Sequence, residues 1–192
     1  MIETIDLLIA RYGLLAVFAG CVAEGESAAA LAGFFVHQQV FSAAGAFAAV
    51  FGGAFLGDML TFLLGRRFSQ QAFVGRITKR PGFGRALELI ARRPATYVLL
   101  NRYVYGFRLV GGVAAGLSAI PAAKFMALNA LSSAVWAVLF LGLGYVFGAG
   151  AEQVIGSELA RHQRLLAALG VVAAAIVAGV VARGFMRRIG DR

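Results

Sequence analysis

From Tyr12 to Gly65 the chain carries not one lysine or arginine, a gap too long and too apolar for the surface of a water-soluble domain. Cysteine is almost missing too. Cys21 stands alone, which excludes an intrachain disulfide, and it reads as a small buried apolar side chain. Only two histidines occur, His37 and His162, too few for a multi-histidine metal centre. No H-E-x-x-H, G-x-S-x-G or phosphate-loop pattern is present, so nothing in the sequence marks an enzyme, a metal site or a cofactor. The first residues, Met1 to Asp6, are acidic and lack the basic start of a signal peptide, so no cleaved leader is expected.

What the chain does have is apolar length. Of its 192 residues 60% are hydrophobic and only 14% are charged, the balance of an integral membrane protein. Apolar runs occupy residues 13 to 36, 40 to 65, 95 to 120, 122 to 149 and 165 to 182. Such runs are too long for barrel strands, and lipid forces the backbone to satisfy its own hydrogen bonds, so an all-α membrane domain is expected. The net charge of +9 does not point to nucleic acid. Its cations cluster in Arg66, Arg67, Arg76, Lys79, Arg80, Arg85, Arg92 and Arg93, and again in Arg183, Arg187, Arg188 and Arg192, as expected of cytoplasmic flanks.

That charge pattern constrains the topology. With both basic clusters cytoplasmic, the fifth run enters from outside and run 122 to 149 leaves from inside. Run 95 to 120 then begins and ends on the cytoplasmic side, which a single spanning helix cannot do. It is expected to be a re-entrant hairpin broken at Gly106, with Gly111 and Gly112 nearby, because glycine tolerates the turn. The first run reads the same way, broken around Glu24-Gly25-Glu26. Ala32-Gly33 recurs as Ala115-Gly116, and Phe62-x-x-Gly65 as Tyr145-x-x-Gly148, at one common spacing. One crossing separates the copies, so the second is expected to be inverted, an architecture of secondary transporters. The expected plan is a first repeat (1 to 65), a basic cytoplasmic segment (66 to 93), a second repeat (94 to 149), and an outer loop, last span and basic tail (150 to 192), all in one membrane domain. In the basic segment, Phe73, Ile77, Ala86, Leu87 and Ile90 are spaced for one helical face, and a helix pair on the inner leaflet is expected.

Five charged side chains lie deep inside these runs: Glu24, Glu26, Asp58, Arg102 and Arg108. At bilayer depth each costs about 2.5 to 3.5 kcal/mol on insertion scales, so such groups are partnered, hydrated or functional. Lys124 reads as an interfacial side chain, and Asn129 and Trp136 as groups that join helices.

Arg102-Tyr103-Val104-Tyr105-Gly106-Phe107-Arg108, followed by Ala115-Gly116, Phe125, Asn129 and Trp136, resembles the second half of the DedA family, also called the VTT-domain or SNARE-associated Golgi protein group. Gly25-Glu26 with Ala32-Gly33, and Gly57-Asp58-x-x-x-Phe62-x-x-Gly65-Arg66, are similar to elements of its first half. The resemblance covers about residues 20 to 150. Tyr105 stands in place of the family's proline, Gly112 in place of a second, and Glu24 in place of a third, so the turns here rest on glycine.

The resemblance implies two oppositely oriented hairpins in a bacterial cytoplasmic membrane, and movement of a lipid phosphate between leaflets. Undecaprenyl phosphate or another phospholipid would be the substrate, with a dependence on the proton motive force. On that reading Arg102 and Arg108 bind the phosphate, since guanidinium stays charged and can grip it through two parallel hydrogen bonds. Glu26, Asp58 and Glu24 are the candidates for proton coupling, because burial pushes a carboxylate toward protonation while a nearby arginine opposes it. The same four residues Glu26, Asp58, Arg102 and Arg108 could instead be static ion pairs, as in a structural or assembly factor. A proton-driven small-solute exporter is the other rival. The C-terminus is expected on the cytoplasmic side, and homo-oligomers are compatible with either reading.

Overall fold

The computed structural model describes residues 2–23, 25–79, 82–103 and 108–155. Among these there is no strand; the elements are α1 (Ile2–Ala23), α2 (Glu26–His37), α3 (Ala43–Arg67), α4 (Ala72–Thr78), α5 (Phe83–Arg92), α6 (Pro94–Leu100), a 3₁₀ turn (Asn101–Tyr103), α7 (Arg108–Leu117) and α8 (Ala122–Ile155). The all-helical expectation holds for them. The expected fifth span at 165 to 182, most of the outer loop and the basic tail lie outside the described residues, as do Glu24, Tyr105 and Gly106.

The chain divides into two compact units, one drawn from residues 1–50 and 138–192 and the other from 51–137. In the first unit the apolar run 13 to 36 is broken where the sequence predicts it. Gly25 adopts φ 104° and ψ −67°, a backbone that side chains rarely accept, and α2 starts at the next residue. Its N–H bonds back to Gly20 O at 3.2 Å, while its own carbonyl accepts the Ala29 N–H at 2.9 Å and the Cys21 thiol at 3.8 Å. Cys21 is fully buried, as expected. At the far end of α2, Val40 N–H bonds to Phe35 O and Gln39 N–H to Val36 O, a Schellman ending whose left-handed residue, Gln39 at φ 58°, is not glycine.

In the second unit the basic segment folds into the expected helix pair, α4 and α5. Ile77, Ala86 and Ile90 turn inward with Val74 and Phe83, and their core partners include Val110, Val113 and Ala114 of α7. The face assigned to the leaflet is thus covered by protein. Leu87, expected on the same face, is exposed, because the inward positions 83, 86 and 90 set a stripe that excludes it. Pro94 at the first position of α6 fits there since that N–H has no helical partner.

Among the described residues two helices are long and apolar enough to cross a membrane, Ala43–Arg67 and Ala122–Gly150. Their polarity is inverted relative to soluble helices. On α3 the exposed stripe is Leu56, Leu60 and Leu63, while Ala54, Asp58, Phe62 and Gly65 are buried. On α8 Leu131, Val135, Val138 and Leu139 are exposed, while Asn129, Ser132, Ser133 and Trp136 are buried. Large aliphatic side chains outward, with the small and polar ones inward beside Phe62 and Trp136, suit a helix bathed in lipid.

Inside each unit a short helix meets a long one through glycine. In the first unit a methyl group on Gly33 of α2 would overlap Leu141 O of α8, and one on Gly144 would overlap Ala30 O. In the second, a methyl group on Gly116 of α7 would overlap Phe62 O of α3, and one on Gly65 would overlap Val113 O. The contact is the same in both, with Gly33 corresponding to Gly116 and Gly144 to Gly65. The long-helix match is therefore one turn earlier than Tyr145 and Gly148, the residues paired by the sequence comparison. Gly111 and Gly112 also depart from expectation. They lie within α7, where Gly112 makes room for Thr61 and Gly111 for Tyr97 and Asn101, so close approach rather than a chain break explains them.

Candidate functional site

Asp58 faces the interior from the middle of α3 and is only 6% exposed. Its two oxygens are taken by two arginines. Arg102 Nη2 on the 3₁₀ turn donates to Oδ2 at 2.6 Å, and Arg108 Nε at the start of α7 donates to Oδ1 at 2.7 Å. Ala54 O, one turn earlier on α3, accepts a second bond from each, at 3.3 Å from Arg102 and 3.4 Å from Arg108. Arg102 is 5% exposed and lies over the Trp136 ring, with its Cζ 5.4 Å from the centroid. Arg108 keeps more of its side chain open.

Three sequence candidates, Asp58, Arg102 and Arg108, are thus brought together, the 3₁₀ turn and the first residue of α7 each setting a cation against the acid of α3. Two guanidiniums against one carboxylate leave one net positive charge. The arrangement can hold a further anion. Among the described residues Arg102 Nη1 is buried and has no hydrogen-bond partner.

The other candidates are placed elsewhere. Glu26 begins α2 in the first unit, where its charge suits the positive end of the helix. Gly25 forms the break before it, while Glu24 and Gly106 lie outside the described residues. Asn129 joins helices as expected: its Nδ2 donates to Phe55 O at 3.1 Å, and Ser132 Oγ donates to Leu99 O at 2.9 Å, tying α8 to α3 and α6. Arg66 is not part of a free cationic surface. Its Nε donates to Gly116 O at 2.8 Å and its Nη2 to Ser118 O at 3.1 Å and Ile120 O at 2.7 Å, closing the C-terminal end of α7, and the guanidinium stacks on Phe62.

Sequence reasoning passed over Tyr97 of α6 and Asn101 of the 3₁₀ turn, both buried. The signal was available: two polar side chains four residues apart, leading directly into Arg102. No group of three or more metal-ligating side chains occurs among the described residues.

The VTT domain family matches residues 7–146. The inner membrane protein YohD of Escherichia coli is 34% identical over 144 residues, covering 75% of each chain. The uncharacterized membrane protein slr0232 of Synechocystis is 29% identical over 77% of this chain and 72% of its own. The uncharacterized membrane protein YbfM of Bacillus subtilis is 25% identical over 76% of this chain and 97% of its own. No solved structure matches. With residues 7–146 matched by the family and three quarters of the chain aligned with the Escherichia coli protein, the chain belongs to the VTT-domain, or DedA, family of membrane proteins.

Proposed function

We propose that the protein carries a lipid phosphate, polyprenyl phosphate or phospholipid, between the leaflets of a bacterial cytoplasmic membrane. Arg102 and Arg108 receive the phosphate and Asp58 controls their release. The observation that carries this reading is the shared carboxylate: two arginines of one hairpin are held by a single acid of a neighbouring span. An incoming phosphate competes with Asp58 for the same donors. Protonation of Asp58 removes that competition and raises the net charge of the cluster from one to two, so proton uptake and phosphate binding favour one another. The other ionisable groups on the described parts of these elements are Tyr97 of α6, Tyr103 of the 3₁₀ turn, Arg66 and Arg67 at the end of α3, and Lys124 and Tyr145 of α8. From α8 come Asn129, Ser132, Ser133 and Trp136, none of them charged.

In this reading the stretch from α6 to α7 is a re-entrant hairpin open to the cytoplasm, α1 and α2 form its inverted counterpart, and the C-terminus is cytoplasmic. The matching glycine contacts in the two units support the repeat. Glu26, at the break of the first hairpin, is the second acid placed to take a proton. The protein acts as a carrier and not as an enzyme.

The full occupation of Asp58 also suits a structural factor in which the ion pairs only fasten the hairpin. Reconstitution into liposomes with headgroup-labelled lipids separates the two. Transfer of label between leaflets, enhanced by a pH gradient and lost in Arg108→Gln, is expected of the carrier. A structural factor transfers no label.

A further inference from the structure

Two side chains, one on α6 and one on the 3₁₀ turn, end in polar atoms that no described residue satisfies. Tyr97 is 7% exposed and Asn101 8%, and among the described residues neither Tyr97 Oη nor Asn101 Oδ1 has a hydrogen-bond partner. They lie one helical turn apart and converge. A methyl group on Gly111 would stand 3.0 Å from Tyr97 Oη, 3.2 Å from Asn101 Cγ and 3.3 Å from its Nδ2, so the phenol and the carboxamide face the same stretch of α7. Leaving buried polar atoms unsatisfied is costly, which makes two of them on neighbouring side chains a poor packing solution and a good binding one.

The chemistry of the two groups defines what fits. Asn101 Oδ1 can only accept, so the occupant must donate; Tyr97 Oη both donates and accepts. An ionised phosphate or carboxylate oxygen has nothing to give Asn101. An ammonium would add a cation near a cluster that already carries one net positive charge. A hydroxyl group satisfies both partners and brings no charge.

We infer that Tyr97 and Asn101 form a hydroxyl-binding subsite adjoining Arg102, and that the lipid handled by the protein bears a neutral hydroxyl in its headgroup beside the phosphate. The inference rests on the reading of Arg102 and Arg108 as phosphate ligands. Asn101 and Arg102 are consecutive residues of the 3₁₀ turn, so the subsite and the phosphate ligand sit on one short segment, a separation that a headgroup of a few atoms can bridge. Tyr97 and Asn101 would then decide which phosphate-bearing headgroup is accepted.

The test uses the full chain in detergent micelles, with the emission of Trp136, its single tryptophan, as the reporter of the arginine site. The probes are short-chain phosphatidylglycerol and short-chain phosphatidylmethanol, which share a singly charged phosphodiester and differ in the hydroxyls. Wild type is expected to bind phosphatidylglycerol about tenfold more tightly, the scale of one net hydrogen bond. Tyr97→Phe and Asn101→Leu are expected to bring the ratio toward one, the loss falling on the hydroxyl-bearing lipid. Equal affinity of wild type for both probes overturns the subsite and leaves the arginine reading intact, as it would if the two side chains only hold an internal water. A preference that persists unchanged in both variants also overturns it. If neither lipid alters the Trp136 signal, the arginine reading falls and the subsite falls with it.

Discussion

The guanidinium of Arg102 lies over the ring of Trp136, its Cζ 5.4 Å from the centroid, while its Nη2 remains bonded to Asp58. The planar group can therefore face an acid at its edge and an aromatic at its face at once. A lysine ammonium cannot do both. Arg102→Lys is expected to weaken lipid-phosphate binding about tenfold and to shift Trp136 emission in the resting protein, read by fluorescence titration. Unchanged affinity with an unchanged spectrum would remove Arg102 from the site.

Asp58→Asn copies the protonated state of the acid. It leaves two arginines facing a neutral side chain, and breaking a buried pair in this way costs about 3–5 kcal/mol. The variant is expected to melt at a lower temperature, to regain most of the loss when a phosphate lipid is added, and to transport with a flattened pH profile. Melting curves with and without lipid, and transport from pH 5 to 8, measure all three. A full pH profile in Asp58→Asn moves the proton step to Glu26, where Glu26→Gln is the corresponding variant.

The glycine contacts give a sharper contrast. Gly33→Ala and Gly116→Ala each drive a methyl group into a backbone carbonyl, which cannot swing aside, and are expected to lose about 1–3 kcal/mol by thermal unfolding in detergent. A Cβ on Gly142 meets nothing within 4 Å, so Gly142→Ala should be neutral or gain up to about 1 kcal/mol from helix propensity. Equal effects at all three positions would show that the contacts do not hold the helices together.

Sidedness tests the hairpin itself. Thr96 and Ala119 are both exposed, one at each end of the α6 to α7 stretch, and Cys21 is buried. Cysteines introduced at these two positions in a Cys21→Ala background are expected to react with an impermeant maleimide from the same face of the membrane. Labelling from opposite faces would make the stretch a crossing and remove the inverted repeat.

Much of this was readable before any coordinates, for physical reasons that differ residue by residue. Asp58, Arg102 and Arg108 announce themselves because charge is costly in an apolar run, and Gly25 because it lies between two acids in one. The pairing was not readable, since Arg102 and Arg108 meet Asp58 across 44 and 50 residues and no local pattern encodes such a contact. Gly111 and Gly112 were misassigned for a related reason. Glycine serves equally for a sharp turn and for close approach, and only the neighbour, Thr61 or Tyr97, distinguishes them. Leu87 misled because position 87 lies at the edge of the helical stripe, where one residue of drift decides between core and surface. Arg66 looked like one cation among many until the three carbonyls it closes were in place.

The distance along the chain between Asp58 and its arginines bears on how the protein is made. Synthesis runs from the N-terminus, so α3 is complete before Arg102 or Arg108 exists. The span therefore enters the bilayer with its acid uncompensated, against an insertion cost of about 2.5 to 3.5 kcal/mol for such a residue. Only when the ribosome has added the next fifty residues can α7 seat against α3 and offset that cost. The ion pair thus rewards correct docking of α7 late in biogenesis, and a chain truncated before Arg102 retains the cost without the partner.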